Sequence, residues 1–187
     1  MKRKLMSEKK RRERHPHVKY IEKDKNGKYV YKGTWYFFDG SEKERKMKNG
    51  KLWALCCAAL CVIVVCGFLP VPGMNNTIYL LLPYMVELPA GVYVCWKQGR
   101  LMLNKDPLRE YVYEDLIEKI PMGAVIVLAA AAILAAGEIV FLILNGAGGR
   151  PGYAAAFIIL QAACAASAYS IGRIFKTVHW KEGSKET

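Results

Sequence analysis

Basic and imidazole side chains are missing from the interior of four long apolar stretches of this 187-residue chain. The first runs from Leu52 to about Pro70 and holds no charge. The second, Thr77 to Trp96, carries Glu87 alone, and the third, Ala124 to Asn145, carries Glu138 alone. The fourth, Tyr153 to Phe175, is uncharged until Arg173. The three histidines, His15, His17 and His179, all lie outside these stretches, which excludes a bis-histidine haem within them. Polar residues at helical spacing are missing too, so the stretches do not read as buried helices of a soluble protein. The six cysteines, Cys56, Cys57, Cys61, Cys66, Cys95 and Cys164, include no Cys-x-x-Cys pair, and none falls in the connections 71–76 or 146–152. A thiol oxidoreductase and a disulfide framework are disfavoured on those grounds, and buried cysteine as a small hydrophobe is the expectation. No phosphate loop, nucleophile elbow or zinc-protease helix is present. The chain is therefore expected to be no enzyme, with no catalytic residue, no metal and no cofactor.

What is present is four segments each long enough to cross a hydrocarbon core, for which about 20 apolar residues are needed. The polar residues 1–51 precede the first of them, so a cleaved signal peptide is not expected. The expected fold class is an all-α integral membrane protein. Its four transmembrane helices form two hairpins, with a small cytoplasmic N-terminal β-hairpin or meander and an amphipathic interfacial helix in the middle loop. The expected divisions are a basic tail (1–14), an aromatic β module with its linker (15–51), the membrane domain (52–175) and a C-terminal tail (176–187). The spans are 52–70, 77–96, 124–145 and 153–175, and the middle loop is 97–123.

Orientation follows from the basic residues. Residues 1–51 hold 18 of the 28 lysines and arginines against 7 acids, a local balance of +11 within a total of +12. The middle loop adds Lys97, Arg100, Lys105, Arg109 and Lys119, and the tail adds Arg173, Lys176, Lys181 and Lys185, whereas the other two connections contain only Arg150. Both termini and the middle loop are expected in the cytoplasm, with two tight turns outside and the protein in the cell membrane. The run Lys2, Arg3, Lys4, Lys9, Lys10, Arg11, Arg12 and Arg14 sets this topology and is expected to touch anionic lipid headgroups. A nucleic-acid partner is not expected, because no recognisable RNA-binding motif accompanies the basic and aromatic residues.

In the β module, Val18–Glu22 and Lys28–Lys32 alternate around the turn sequence Asp24-Lys25-Asn26-Gly27, and Thr34–Phe38 is a third strand candidate. Three short strands bury little apolar area alone, so the module leans on the membrane surface, the middle loop or a partner. Ser41 to Lys51 reads as a charged helical lead-in to the first span. In the middle loop, Asp106 suits an N-cap and Pro107 a first turn. Leu108, Val112, Leu116 and Ile120 recur every fourth residue, and Pro121 and Gly123 would end that helix before the third span. Pro72-Gly73 and Pro151-Gly152 make the two outer turns look alike.

Acids inside a membrane are expensive, so Glu87 and Glu138 are functional candidates. At 1.5 Å per residue Glu87 lies about 15 Å, Glu138 about 10 Å, Gln161 about 12 Å and Cys61 about 13 Å from the outer ends of their helices. One polar layer could hold all four, with Glu87, Glu138 and Gln161 forming an ion or proton site or acting as interhelical glue. Pro83, Glu87 and Gly91 share a helix face with Pro89 nearby, and each proline frees a carbonyl four residues earlier, at Tyr79 and Met85. Ala131/Ala135, Ala132/Ala136, Ala162/Ala166 and Ala168/Gly172 make small-xxx-small pairs that would bring the third and fourth spans close.

The four-span layout resembles small multidrug transporters in outline only. Those are close to bare bundles with an acid in the first span; here that span has none and a basic aromatic module is added, so no residue role carries over. The leading functional expectation is a non-enzymatic scaffold or accessory subunit of a membrane assembly, which docks a protein partner or a second copy through its cytoplasmic face. The alternatives are a small proton- or cation-coupled carrier using Glu87 and Glu138, and a membrane-tethered sensor of anionic lipid or nucleic acid.

Overall fold

The computed structural model describes residues 20–23, 29–74, 77–104, 106–146, 149 and 151–183. The basic run from Lys2 to Arg14 and the turn at 24–27 lie outside them. In chain order the elements are β1 (Ile21–Lys23), β2 (Tyr29–Tyr31), β3 (Trp35–Phe38), α1 (Glu42–Phe68), α2 (Ile78–Leu103), β4 (Leu108–Arg109), α3 (Glu110–Asn145), α4 (Pro151–Lys176) and β5 (Trp180–Gly183).

All four helices are long and apolar enough to cross a membrane. Helix α1 begins with the expected charged lead-in: the Ser41 hydroxyl caps it by accepting from the Glu44 N–H at 3.2 Å, and Glu42 and Glu44 lie in its first turn. The helix then passes without a break into the apolar stretch. The consecutive pairs α1–α2 and α3–α4 close into a ring because α2 also packs on α3 and α1 on α4. Core residues such as Leu52, Ile63, Leu80, Leu134, Phe157 and Ile171 point inward, whereas Phe68, Ile78, Met85, Ile143, Leu144 and Ile159 point outward. An apolar exterior around an apolar core suits a hydrocarbon solvent and not water.

Gly91 and Gly123 set the helix spacing. A Cβ at Gly91 would stand 2.7 Å from Ile63 Cδ1, and one at Gly123 would stand 2.6 Å from Val94 Cγ2. Of the small-residue pairs, Ala131 and Ala168 are buried, but Ala132, Ala136, Ala162 and Ala166 face outward. Helical phase turns those four residues away from the core.

The expected β1–β2 hairpin forms, with Ile21 opposite Tyr31 and Lys23 opposite Tyr29. The third strand departs from the expected meander. Instead of pairing with β2, β3 is the centre of a second antiparallel sheet in the order β4-β3-β5. Trp35 faces Arg109 and Gly183, and Phe38 faces Trp180. The sheet therefore draws one strand from residues 15–51, one from the middle loop and one from the C-terminal tail. The physical reason is burial: three short strands cannot cover their own aromatic faces. The joint sheet packs Tyr36 on Tyr113 (3.9 Å between ring centroids, stacked) and Phe38 edge-on against Trp180.

The interfacial helix is corrected as well. Asp106 accepts from the Phe38 N–H at 3.3 Å rather than capping a helix, and Leu108 is in strand β4. The stripe Leu108, Val112, Leu116 and Ile120 is buried against α1, α2 and α4 at the sheet end of the bundle. Pro121 and Gly123 do not break the chain from the third span. The Pro121 ring would strike the Ile117 carbonyl in a regular helix, and Ile117 lies in a π turn, Glu114–Glu118, that widens the helix there. The two connections at the far end also differ. Pro151 opens α4 directly and Gly152 is exposed, whereas Pro72 and Gly73 belong to a turn that tucks under the bundle with Val71, Gly73 and Met74 buried.

Candidate functional site

Glu87, Glu138 and Gln161 are all fully buried, but the structure joins only two of them. Helix α2 carries Glu87 inward on the face it shares with Gly91 and the half-buried Pro83. Gln161 and Cys164, one helical turn apart on α4, face it. Gln161 Nε2 donates to Glu87 Oε2 at 3.2 Å, and Cys164 Sγ donates to Oε1 at 3.5 Å. Depth counting placed Glu87 and Gln161 at similar levels; Cys164 was missed because depth says nothing about rotation around the helix.

Glu138 stands elsewhere. Among the described residues neither of its carboxyl oxygens has a hydrogen-bond partner. Its surroundings belong to the α1–α2 turn: a Cβ at Gly73 would lie 2.6 Å from Glu138 Oε2 and 3.0 Å from the Phe141 ring. The Thr77 hydroxyl holds that turn by donating to the Gly73 carbonyl.

The remaining members of the expected layer do not meet there. Cys61 faces outward. Helix α2 runs unbroken through both prolines, and Pro89 and Met85 are exposed. The carbonyl that Pro89 frees is therefore on the outer side of α2, away from Glu87. Grooves of about 620 Å³ between α1 and α2 and about 280 Å³ between α3 and α4 open on the outside of the bundle, and neither is lined by an acid. Among the described residues no group of three or more histidine, cysteine, aspartate or glutamate side chains is arranged to hold a metal ion.

A second polar cluster, at the sheet end, was not anticipated. Asp115 receives Lys97 Nζ at 2.5 Å and Arg100 Nη1 at 3.1 Å on one oxygen, and Lys119 Nζ at 3.0 Å on the other. Lys97 is almost fully buried, with its ammonium over the rings of Tyr93 and Trp96. Gln98 beside it is fully buried and donates to the Asn49 carbonyl at 3.4 Å. Partial burial pushes the Asp115 carboxyl up, but hydrogen bonds and charge from Lys97 and Lys119 outweigh it and hold the group below its ordinary value. The same pairing raises Lys119. The signal was there in the spacing: Val94, Lys97, Gln98 and Leu101 fall on one face of α2.

The sheet carries a polar and aromatic surface of its own. Arg109 lies over the rings of Tyr31 and Trp35, and Glu110 ties the hairpin to the helix through Thr34 N–H and Tyr31 Oη, both at 2.9 Å. Lys181 pairs with Asp39 at 2.8 Å, and the Tyr36 hydroxyl donates to Glu182 at 3.3 Å. Burial and the neighbouring Glu182 push the Tyr36 phenol up to about 12.

Compared with protein-family models, with curated proteins and with solved structures, the chain matches none of them.

Proposed function

We propose that this protein is a non-enzymatic, multi-pass subunit of a membrane assembly, and that its sheet end is the docking face. The observation that carries the reading is the sheet itself: segments from the N-terminal region, the middle loop and the C-terminal region meet in one aromatic plate bearing Arg109 and Lys181. A plate pinned at three points along the chain holds its shape when a partner binds, which limits the ordering entropy that docking must overcome. The excess of lysine and arginine supports a cytoplasmic position for this end and both termini, at the cell membrane. The basic N-terminal run meets anionic lipid there. The partner is a protein, or a second copy of this chain, and not a nucleic acid.

The test is the mass of the particle extracted from native membranes in mild detergent. The expected result is a defined complex heavier than the 21.0 kDa chain. It should be lost with Trp35→Ala or Arg109→Ala and kept with Glu87→Gln or Glu138→Gln. Vectorial ion flux in liposomes holding the purified protein alone would support the carrier reading instead and overturn this one.

A further inference from the structure

The groove of about 620 Å³ between α1 and α2 joins an apolar floor to a charged end. Leu60 and Val92 line it within the apolar stretches, and Arg100 lines it beyond them, at the sheet end. At 1.5 Å per residue Arg100 stands about 12 Å along α2 from Val92, so the groove follows the helices from headgroup depth into hydrocarbon. Trp53 and Trp96, both exposed, line it where the two apolar stretches end. Exposed indoles favour that boundary of a bilayer. A Cβ at Gly99 would stand 3.4 Å from Trp53 Nε1, which puts an N–H donor beside the residue that precedes Arg100.

The charged end is out of balance. Asp115 binds Lys97, Arg100 and Lys119, and Glu114 also acts on Lys119. Three cations against two acids leave one positive charge in excess. Arg100 gives Nη1 to Asp115, and its side chain is 41% exposed. A guanidinium has five N–H donors, enough to hold a phosphate as well.

We propose that this groove binds one anionic phospholipid, its phosphate held by Arg100 and Trp53 Nε1 and an acyl chain lying along Leu60 and Val92. Two features select this occupant. The single excess charge matches a phosphodiester, whereas a headgroup with a cation of its own would restore the excess. The apolar floor matches a hydrocarbon chain, which inorganic phosphate lacks. Basic pockets between spans on the cytoplasmic side suit such headgroups. The site rests on the chain crossing a membrane and is independent of the docking face, so it stands if the docking reading fails.

Native mass spectrometry tests it on the full chain, purified in detergent and mixed with phosphatidylglycerol and phosphatidylcholine of the same acyl chains. The expected result is one phosphatidylglycerol retained per chain in preference to phosphatidylcholine. Arg100→Gln and Gly99→Leu should each weaken retention at least about tenfold. The first removes the donor; the second fills the groove and leaves every charge in place, which separates lipid loss from damage to the Asp115 cluster. Lys46→Gln removes an exposed charge of α1 outside the groove and should leave retention unchanged. Equal retention of the two lipids, unchanged retention in Gly99→Leu, or displacement of the lipid by inorganic phosphate would each overturn the proposal.

Discussion

The sheet end and the turn end of this bundle treat their most deeply buried ionisable side chains, Lys97 and Glu138, in opposite ways. At the sheet end a buried lysine is matched by Asp115, which also binds Arg100 and Lys119, and the strands above it are linked through Glu110, Asp39 and Glu182. At the turn end Glu138 is buried with no partner among the described residues. Glu87 lies between these extremes, paired with Gln161 and Cys164. The difference teaches where each kind of stability comes from. The sheet end is held by charge and hydrogen bonds between distant parts of the chain; the rest of the bundle is held by close helix approach, and it tolerates one unsatisfied acid.

The comparison can be broken first at its strongest point. Asp115→Asn leaves Lys97 buried without its counter-charge and should lower stability by about 3 kcal/mol, read from thermal unfolding in detergent. The same residue gives the sheet end a pH dependence. The folded carboxyl is held below its ordinary value, so its contribution is complete above about pH 4 and is lost as pH falls through the lower folded pKa. Asp115→Asn should flatten that acid limb; an unchanged limb would assign it to other groups.

Close approach within the bundle is tested next. Gly91→Ala should cost about 1–3 kcal/mol, because the new methyl meets Ile63 Cδ1. Adding Ile63→Val removes that very atom and should recover part of the loss, an interaction that a double-mutant cycle measures. The two acids then separate. Gln161→Leu strips Glu87 of a donor and should cost about 1–3 kcal/mol. Glu138→Gln should cost less, since no hydrogen bond among the described residues is lost. At the small end, Lys46→Ala removes an exposed pair with Glu42 on the first turns of α1 and should leave the unfolding curve in place.

Much of the architecture was legible because its signals are local. Long apolar runs marked four helices, alternation around a turn sequence marked β1 and β2, and the charged stretch from Ser41 to Lys51 marked the start of α1. The β4-β3-β5 sheet was not legible, because pairing between residues more than 70 positions apart leaves no local period. Leu108 fitted a helical stripe equally well, and Trp180–Gly183 is too short to alternate. Of the candidate site, depth counting found the level of Glu87 and Gln161. Rotation around each helix, which counting does not contain, decides that Cys164 joins them, that Cys61 faces outward and that Glu138 stands apart under the turn. Lys97 looked like a loop cation setting topology; its neighbours Val94 and Leu101 already marked it as inward-facing.

The central claim, that the sheet end is the docking face, is tested most directly by site-specific photocrosslinking in native membranes. A photoreactive residue at Tyr29, exposed beside the plate, is compared with one at Gly152, exposed at the far end. The account expects a single protein adduct of fixed mass from position 29, lost with Trp35→Ala, and none from position 152. A protein adduct from position 152 with none from position 29 would contradict it.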